Sequence, residues 1–373
     1  ENIKQAKCRV LSIDGGGIRG LIPLYFCDTL EKVTGKKIWE LFDFFAGSSI
    51  GGLLSILFSQ KLCTAGEALN IFLGQVKNKV FPSKRFFSFL LFQKPFYDPK
   101  NVDEVFKELY GELKFKESKG NFLITASEMV DEICHPWVFT SYEGKHETYS
   151  ITNNPLEQDF FKWNEKQIED YDVLLRDIAR ITSAAYPYFS VFEKIKGYKF
   201  LDGGFTYNNP SYLALKYLEE IRNIDTKDIF VLSLGNESDI GHTSINVDFL
   251  NDSVLKLRPV LTSGVPNFEE QQYNMMYNSL LLADAMVGKR HIRVAPINMN
   301  PISMDETDRV AMNKIKWTSR KMIAINKKYF SNIIKYIGAQ ENKEYNCMME
   351  SKEFYYFPKY ILYQSYYKKL DDL

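Results

Sequence analysis

Along the chain, short continuous apolar runs alternate with segments whose apolar residues recur at helical spacing. Cys8 to Ile13 (CRVLSI) is rich in β-branched residues, stops at a glycine cluster and reads as a buried strand. Leu21 to Val33 carries apolar residues at helical spacing and is closed by Gly35. The stretch IWELFDFFAGSSIGGLLSILFSQK runs from an aromatic apolar segment, through small residues, into a second apolar segment. That order predicts a strand over Phe42 to Ala46, a sharp turn and a buried helix. Further strands are expected over Asn121 to Ser127, Trp137 to Ser141, Phe200 to Leu201, Asp228 to Asn236 and His291 to Ile297. Helices are expected over Asp172 to Ala185 and around Ser279 to Met286. Another should start at Ser303-Met304-Asp305-Glu306, which has capping-box form, and run to about Ile337.

Strands alternate with helices and no linker, repeat or low-complexity break intervenes. The pattern predicts one α/β domain over residues 1–373, three-layered, its largely parallel central sheet covered by helices on both faces. The motif-bearing core would occupy 8–236, the sheet would be complete by about 297, and helices over 303–373 would form a cover. The tyrosine-rich end, Lys343 to Leu373, is its peripheral part.

Charge and composition narrow the function classes. Forty-seven basic residues balance forty-seven acidic ones, which argues against a dedicated nucleic-acid binder and gives no bulk attraction to an anionic membrane. The five cysteines are dispersed with no C-x-x-C pair, so they read as reduced, mostly buried thiols of a reducing compartment. The four histidines lack zinc-site spacing and no calcium-loop pattern occurs, so no metal and no cofactor are expected. No stretch qualifies as a membrane span. The expected location is cytoplasmic and peripheral to membranes; the chain starts at Glu1, which leaves a missing leader open.

Three short motifs carry candidate chemistry. Gly47-Ser48-Ser49-Ile50-Gly51 is a G-x-S-x-G pentapeptide, which holds a nucleophilic serine on a strained strand-to-helix turn at a helix N-terminus. Its bland alternative is a small-residue packing seam. Ser48 is the wrong member of the pair and is expected to support. Gly15-Gly16-Gly17-Ile18-Arg19-Gly20 follows the first strand with G-x-G-x-x-G spacing. A dinucleotide fingerprint also needs an acidic residue ending the next strand, and that strand ends in Gly47-Ser48-Ser49 instead. An oxyanion hole fits better, because three glycines let bare N–H donors crowd one oxygen. Arg19 adds positive charge suited to an anionic headgroup or to holding the loop, and Asp14 is expected to be structural. Asp202-Gly203-Gly204 is either a plain turn or a carboxylate base at a strand end, its pKa raised by burial so that it accepts a serine proton directly.

Together these segments resemble the patatin-like phospholipases: plant patatins, calcium-independent phospholipases and bacterial relatives. The resemblance rests on VLSIDGGGIRGLIP, LFDFFAGSSIGGLL, ITSAAYPYF, FLDGGFTYNNP and VLSLGN. It implies a serine–aspartate dyad with Ser49 as nucleophile and Asp202 as base, and Gly15, Gly16 and Gly17 as the oxyanion hole. Arg19 matches the family's arginine. The implied activity is phospholipase A or lysophospholipase hydrolysis through an acyl-enzyme, on a phospholipid or other acyl-lipid substrate, with transient membrane contact and no nucleic-acid partner. The family commonly has threonine where Ser48 stands, and S-L-G-T-G where Asn236-Glu237 follow Gly235, which puts that loop's shape in question. The segment Val80 to Tyr97 packs phenylalanines between prolines and basic residues; Phe86, Phe87 and Phe89 are candidate membrane contacts, or parts of a lid or core. Rival readings are an α/β-hydrolase with a histidine triad using His242 or His291, and a non-catalytic storage or nucleotide-binding protein of the same fold.

Overall fold

The structure, a computed structural model, describes residues 3–82, 94–131, 133–153, 161–236, 279–296, 302–325 and 327–340. Nine strands form one mixed sheet: β1 Cys8–Ile13, β2 Phe44–Gly47, β3 Phe122–Val130, β4 Ile133–Tyr142, β5 Lys145–Asn153, β6 Phe161–Lys166, β7 Phe200–Asp202, β8 Ile229–Leu234 and β9 His291–Val294. Their order is β6-β5-β4-β3-β2-β1-β8-β9, with β7 paired to β3. The centre, β3-β2-β1-β8-β9, is parallel throughout. The wing β4-β5-β6 is antiparallel, and β7 joins β3 antiparallel.

The central strands read as continuous apolar runs because both of their faces are buried. Leu11, Ile13, Phe45, Ile124, Leu232 and Val294 point into one core. Their strand neighbours Val10, Phe44, Ala46, Leu123 and Val231 point into the other. The first core is filled by α1 Leu21–Thr34, α2 Ile50–Ser59, α3 Ala65–Ile71, α4 Pro99–Tyr110, α5 Leu175–Thr182, α7 Arg309–Ile325 and α8 Lys327–Tyr336. The second is filled by α6 Ser211–Lys216, its continuation through Tyr217 and Leu218, and helical residues 279–287. Helices therefore cover both faces, as the alternation predicted. α1 stops at Gly35, which takes the left-handed conformation at φ 65°.

Three expectations are corrected. β5 and β6 escape the sequence reading because KHETYSITN and FKWNEK are largely polar strands of the antiparallel wing, β6 at the sheet's edge and β5 beside it. Ile38–Leu41 is a short helical turn, so β2 starts only at Phe44. The helix expected from Ser303 starts at Arg309. Ser303 Oγ donates to Asp305 Oδ1 at 2.7 Å instead of capping, and the capping acceptor is Asp308, whose Oδ1 takes the Ala311 N–H at 2.8 Å. Among the described residues no helix is long and apolar enough to cross a membrane.

Candidate active site

Register brings Ser49 and Asp202 together. β2 pairs with β3 only as far as Gly47 opposite Ile124. Past that point the chain turns into α2, and β7 takes over the vacated side of β3, with Asp202 opposite Ala126. Both residues therefore lie two positions beyond the Gly47–Ile124 pair. Ser49 Oγ donates to Asp202 Oδ2 at 2.6 Å, and both residues are buried.

The turn at Ser49 is strained, with φ 51° and ψ −125° in a residue that carries a Cβ. Two contacts hold it. The Ser49 N–H donates to Thr182 Oγ1 at 2.9 Å, at the end of α5. Gly51 lets α2 approach β1 so closely that a Cβ there would collide with the Ile13 carbonyl. Ser48 is fully buried, and its hydroxyl has no partner among the described residues.

Asp202 is fixed from both sides. Its Oδ1 accepts the Gly204 N–H at 2.7 Å, and its backbone carbonyl accepts from Ser127 Oγ at 2.9 Å. Burial pushes its carboxyl from the ordinary 3.8 up to about 7, against the lowering effect of the bonds from Ser49 and Gly204. A carboxylate with that affinity can take a serine proton near neutral pH.

The glycine loop faces this pair; a Cβ on Gly15 would press on Ser49 Cβ. The Gly15 N–H donates to the Asn208 carbonyl at 3.2 Å, so that donor is already engaged. Gly16 and Gly17 N–H have no acceptor among the described residues. The next N–H, Ile18, donates to the Met304 carbonyl at 2.8 Å. Arg19 is buried, and its Nε donates to the Gly16 carbonyl at 3.1 Å, which is the loop-holding arrangement. Asp14, expected to accept backbone N–H groups at the strand end, accepts instead from the Arg293 and Asn209 side chains.

A pocket of about 630 Å³, mouth included, opens beside Ser49. Its walls are largely apolar: Ile50 and Leu53 from α2, Phe72, Val102 and Phe106 from α4, and Phe189. Met304 and Asp305 close one side, where Tyr97 Oη donates to Asp305 Oδ2 at 2.7 Å.

Among the described residues no histidine joins the Ser49–Asp202 pair. His291 starts β9 opposite Val231, three registers short of the strand ends where Ser49 lies, and its Nδ1 bonds to Asp284 at 2.6 Å. His146 Nε2 bonds to the Ser118 carbonyl at 2.8 Å, and His135 is on β4 opposite Glu128. His242, Phe86, Phe87 and Phe89, with residues 343–373, lie outside the described residues. Thr182, Asn208, Asn236 and Arg293 are not singled out in the sequence as site residues; the first three lie within the segments ITSAAYPYF, FLDGGFTYNNP and VLSLGN, and Arg293 carries no motif.

The family model described as patatin-like phospholipase matches residues 11–215. The chain is 33% identical to patatin-like protein 2 of Arabidopsis thaliana over 233 residues, covering 55% of this chain and 51% of that protein. It is 27% identical to a cGAMP-activated phospholipase of Escherichia coli, covering 76% of this chain and 79% of that one. It is 24% identical to the calcium-independent phospholipase A2-gamma of Mus musculus, covering 91% of this chain and 41% of the other. The chain spans about half the length of the plant relatives it matches.

Proposed function

From the premise that the chain belongs to the patatin-like phospholipase family, we propose that it is a lipid acyl hydrolase that cleaves fatty-acyl esters of phospholipids through Ser49 and Asp202. The observation that carries this reading is the 2.6 Å bond from Ser49 Oγ to a carboxylate whose pKa burial raises to about 7. Asp202 accepts the Ser49 proton as Oγ adds to the ester carbonyl carbon. The carbonyl oxygen becomes an oxyanion, and the N–H groups of Gly16 and Gly17 stabilise it; one such donor is worth roughly 3 kcal/mol of barrier. Collapse breaks the ester C–O bond, and the leaving alkoxide takes the proton from Asp202. Water then gives a proton to the same carboxylate while its oxygen attacks the acyl-enzyme, and the fatty acid leaves as Ser49 regains its proton.

The apolar pocket beside Ser49 suits the acyl chain, and Arg19 serves the loop rather than the lipid headgroup. Membrane contact through Phe86, Phe87 and Phe89 belongs to this reading as its interfacial part.

The test pairs an active-site probe with lipid turnover. The wild type should label with a fluorophosphonate and release fatty acid from mixed phospholipid vesicles. Ser49→Ala should not label, and Ser49→Ala and Asp202→Asn should each lose about a thousandfold or more in turnover. Full turnover by Ser49→Ala would end the proposal.

A further inference from the structure

We propose that Asn236 and Arg293, which lie beyond the stretch matched by the family model, are positioning residues that hold the glycine loop with the Gly16 N–H turned toward the reacting carbonyl. This rests on the roles of Ser49 and Asp202 given above.

A trans peptide is planar, so its C=O and N–H point in opposite directions. Whatever holds one end of the unit aims the other. The Gly15 carbonyl accepts from Asn236 Nδ2 at 2.9 Å and from Asn208 Nδ2 at 3.2 Å. That fixes the 15–16 peptide and turns the Gly16 N–H away from Asn236. The Gly16 carbonyl accepts from Arg19 Nε at 3.1 Å and from the Arg19 N–H at 3.2 Å, which turns the Gly17 N–H in the same manner. Asn236 is seated directly beneath the loop. Its Nδ2 also reaches the Asp14 carbonyl at 3.2 Å, and a Cβ on Gly16 would fall on its amide. Asn236 is 1% exposed, so no water competes for these bonds.

The base of the loop is clasped from two strands away. Asp14 follows β1, and Arg293 is the third residue of β9, with β8 between them. The guanidinium crosses β8 to meet the carboxylate as a fork: Nη1 to Oδ1 at 3.0 Å and Nη2 to Oδ2 at 2.6 Å. Nη1 also donates to Ser233 Oγ at 2.9 Å on the way. Gly235 clears that path, since a Cβ there would run into Arg293. Asn209 Nδ2 adds a further bond to Asp14 Oδ1 at 2.7 Å. A bidentate fork fixes direction as well as charge, and a lysine would supply charge alone.

The experiment measures kcat and KM on a soluble p-nitrophenyl acyl ester, with the pH profile and thermal midpoint of each variant. Asn236→Ala and Arg293→Met should lower kcat by about 10- to 100-fold, the range expected when a donor is misplaced by an ångström or less. KM should stay within about twofold, and the rise of rate near pH 7 should not move, because the Ser49–Asp202 pair is untouched. Arg293→Lys should fall between. Arg293→Met leaves the buried Asp14 short of charge, so it is paired with Asp14→Asn/Arg293→Met, which removes both charges. The double variant should remain folded and still lose at least tenfold in kcat. Wild-type kcat in the double variant would mean that Arg293 only neutralises Asp14, and would overturn the proposal. A rise in KM at unchanged kcat in Asn236→Ala would overturn it too. Hydrolysis surviving in Ser49→Ala would instead overturn the functional reading beneath it.

Discussion

Asp202 combines two hydrogen bonds with near-complete loss of solvent, and the loss dominates, so its carboxyl titrates near 7 rather than 3.8. Two pH dependences follow. In the proposed mechanism Asp202 must be ionised to accept the serine proton, so log kcat/KM should rise with unit slope below about pH 7 and flatten above it. Stability should run the other way. Between 3.8 and 7 the folded chain holds a proton at this site that the unfolded chain has released, so stability falls as pH rises through that window. The full displacement corresponds to at most on the order of 4 kcal/mol. Asp202→Asn should therefore be inactive yet unfold at higher denaturant than the wild type at pH 8, with the gap closing toward pH 4. An equal gap at both values would remove burial as the source of the raised pKa.

At the scale of elements, the serine turn is held open by α5 as much as by its own strand and helix. Thr182→Val keeps the shape but leaves the Ser49 N–H without its acceptor. Stability should drop by about 1–3 kcal/mol and kcat by about tenfold, read from urea melts and ester hydrolysis. Thr182→Ser should restore most of both. This contact also shows what a sequence can and cannot disclose. Ser49, Asp202 and the glycine loop were legible because each sits in a local pattern whose backbone geometry depends on neighbours a few residues away. Thr182 was not, since its role exists only once residue 49 lies 133 positions back along the chain yet 2.9 Å away. Arg293 was hidden for the same reason, on a strand correctly predicted but with its partner two strands off. Among the strands, β1, β2 and β8 showed themselves through burial on both faces, whereas β5 and β6, the last two strands of the antiparallel wing, keep polar residues. The form S-M-D-E was legible but misleading: Asp305 is drawn to Tyr97 and Ser303, and the helix waits for Asp308.

For the whole molecule, the pocket beside Ser49 is a joint product of distant parts of the chain. Its floor comes from α2 and α4, and its far wall from Met304 and Asp305, tied across by Tyr97. Tyr97→Phe should loosen that wall without touching the reacting groups. KM for a long-chain ester should rise severalfold while kcat for a short-chain ester stays within about twofold; equal losses on both would mean that the tie supports the fold generally. The Arg293 fork bears on how the chain can be cut or borrowed. The stretch that matches the family model ends at residue 215, yet Asp14 inside it is gripped by a strand that begins at His291. On the proposal above, a graft of the matched stretch alone would transfer Ser49 and Asp202 while leaving their glycine neighbour slack, so the smallest transplantable working unit would reach at least to Val294.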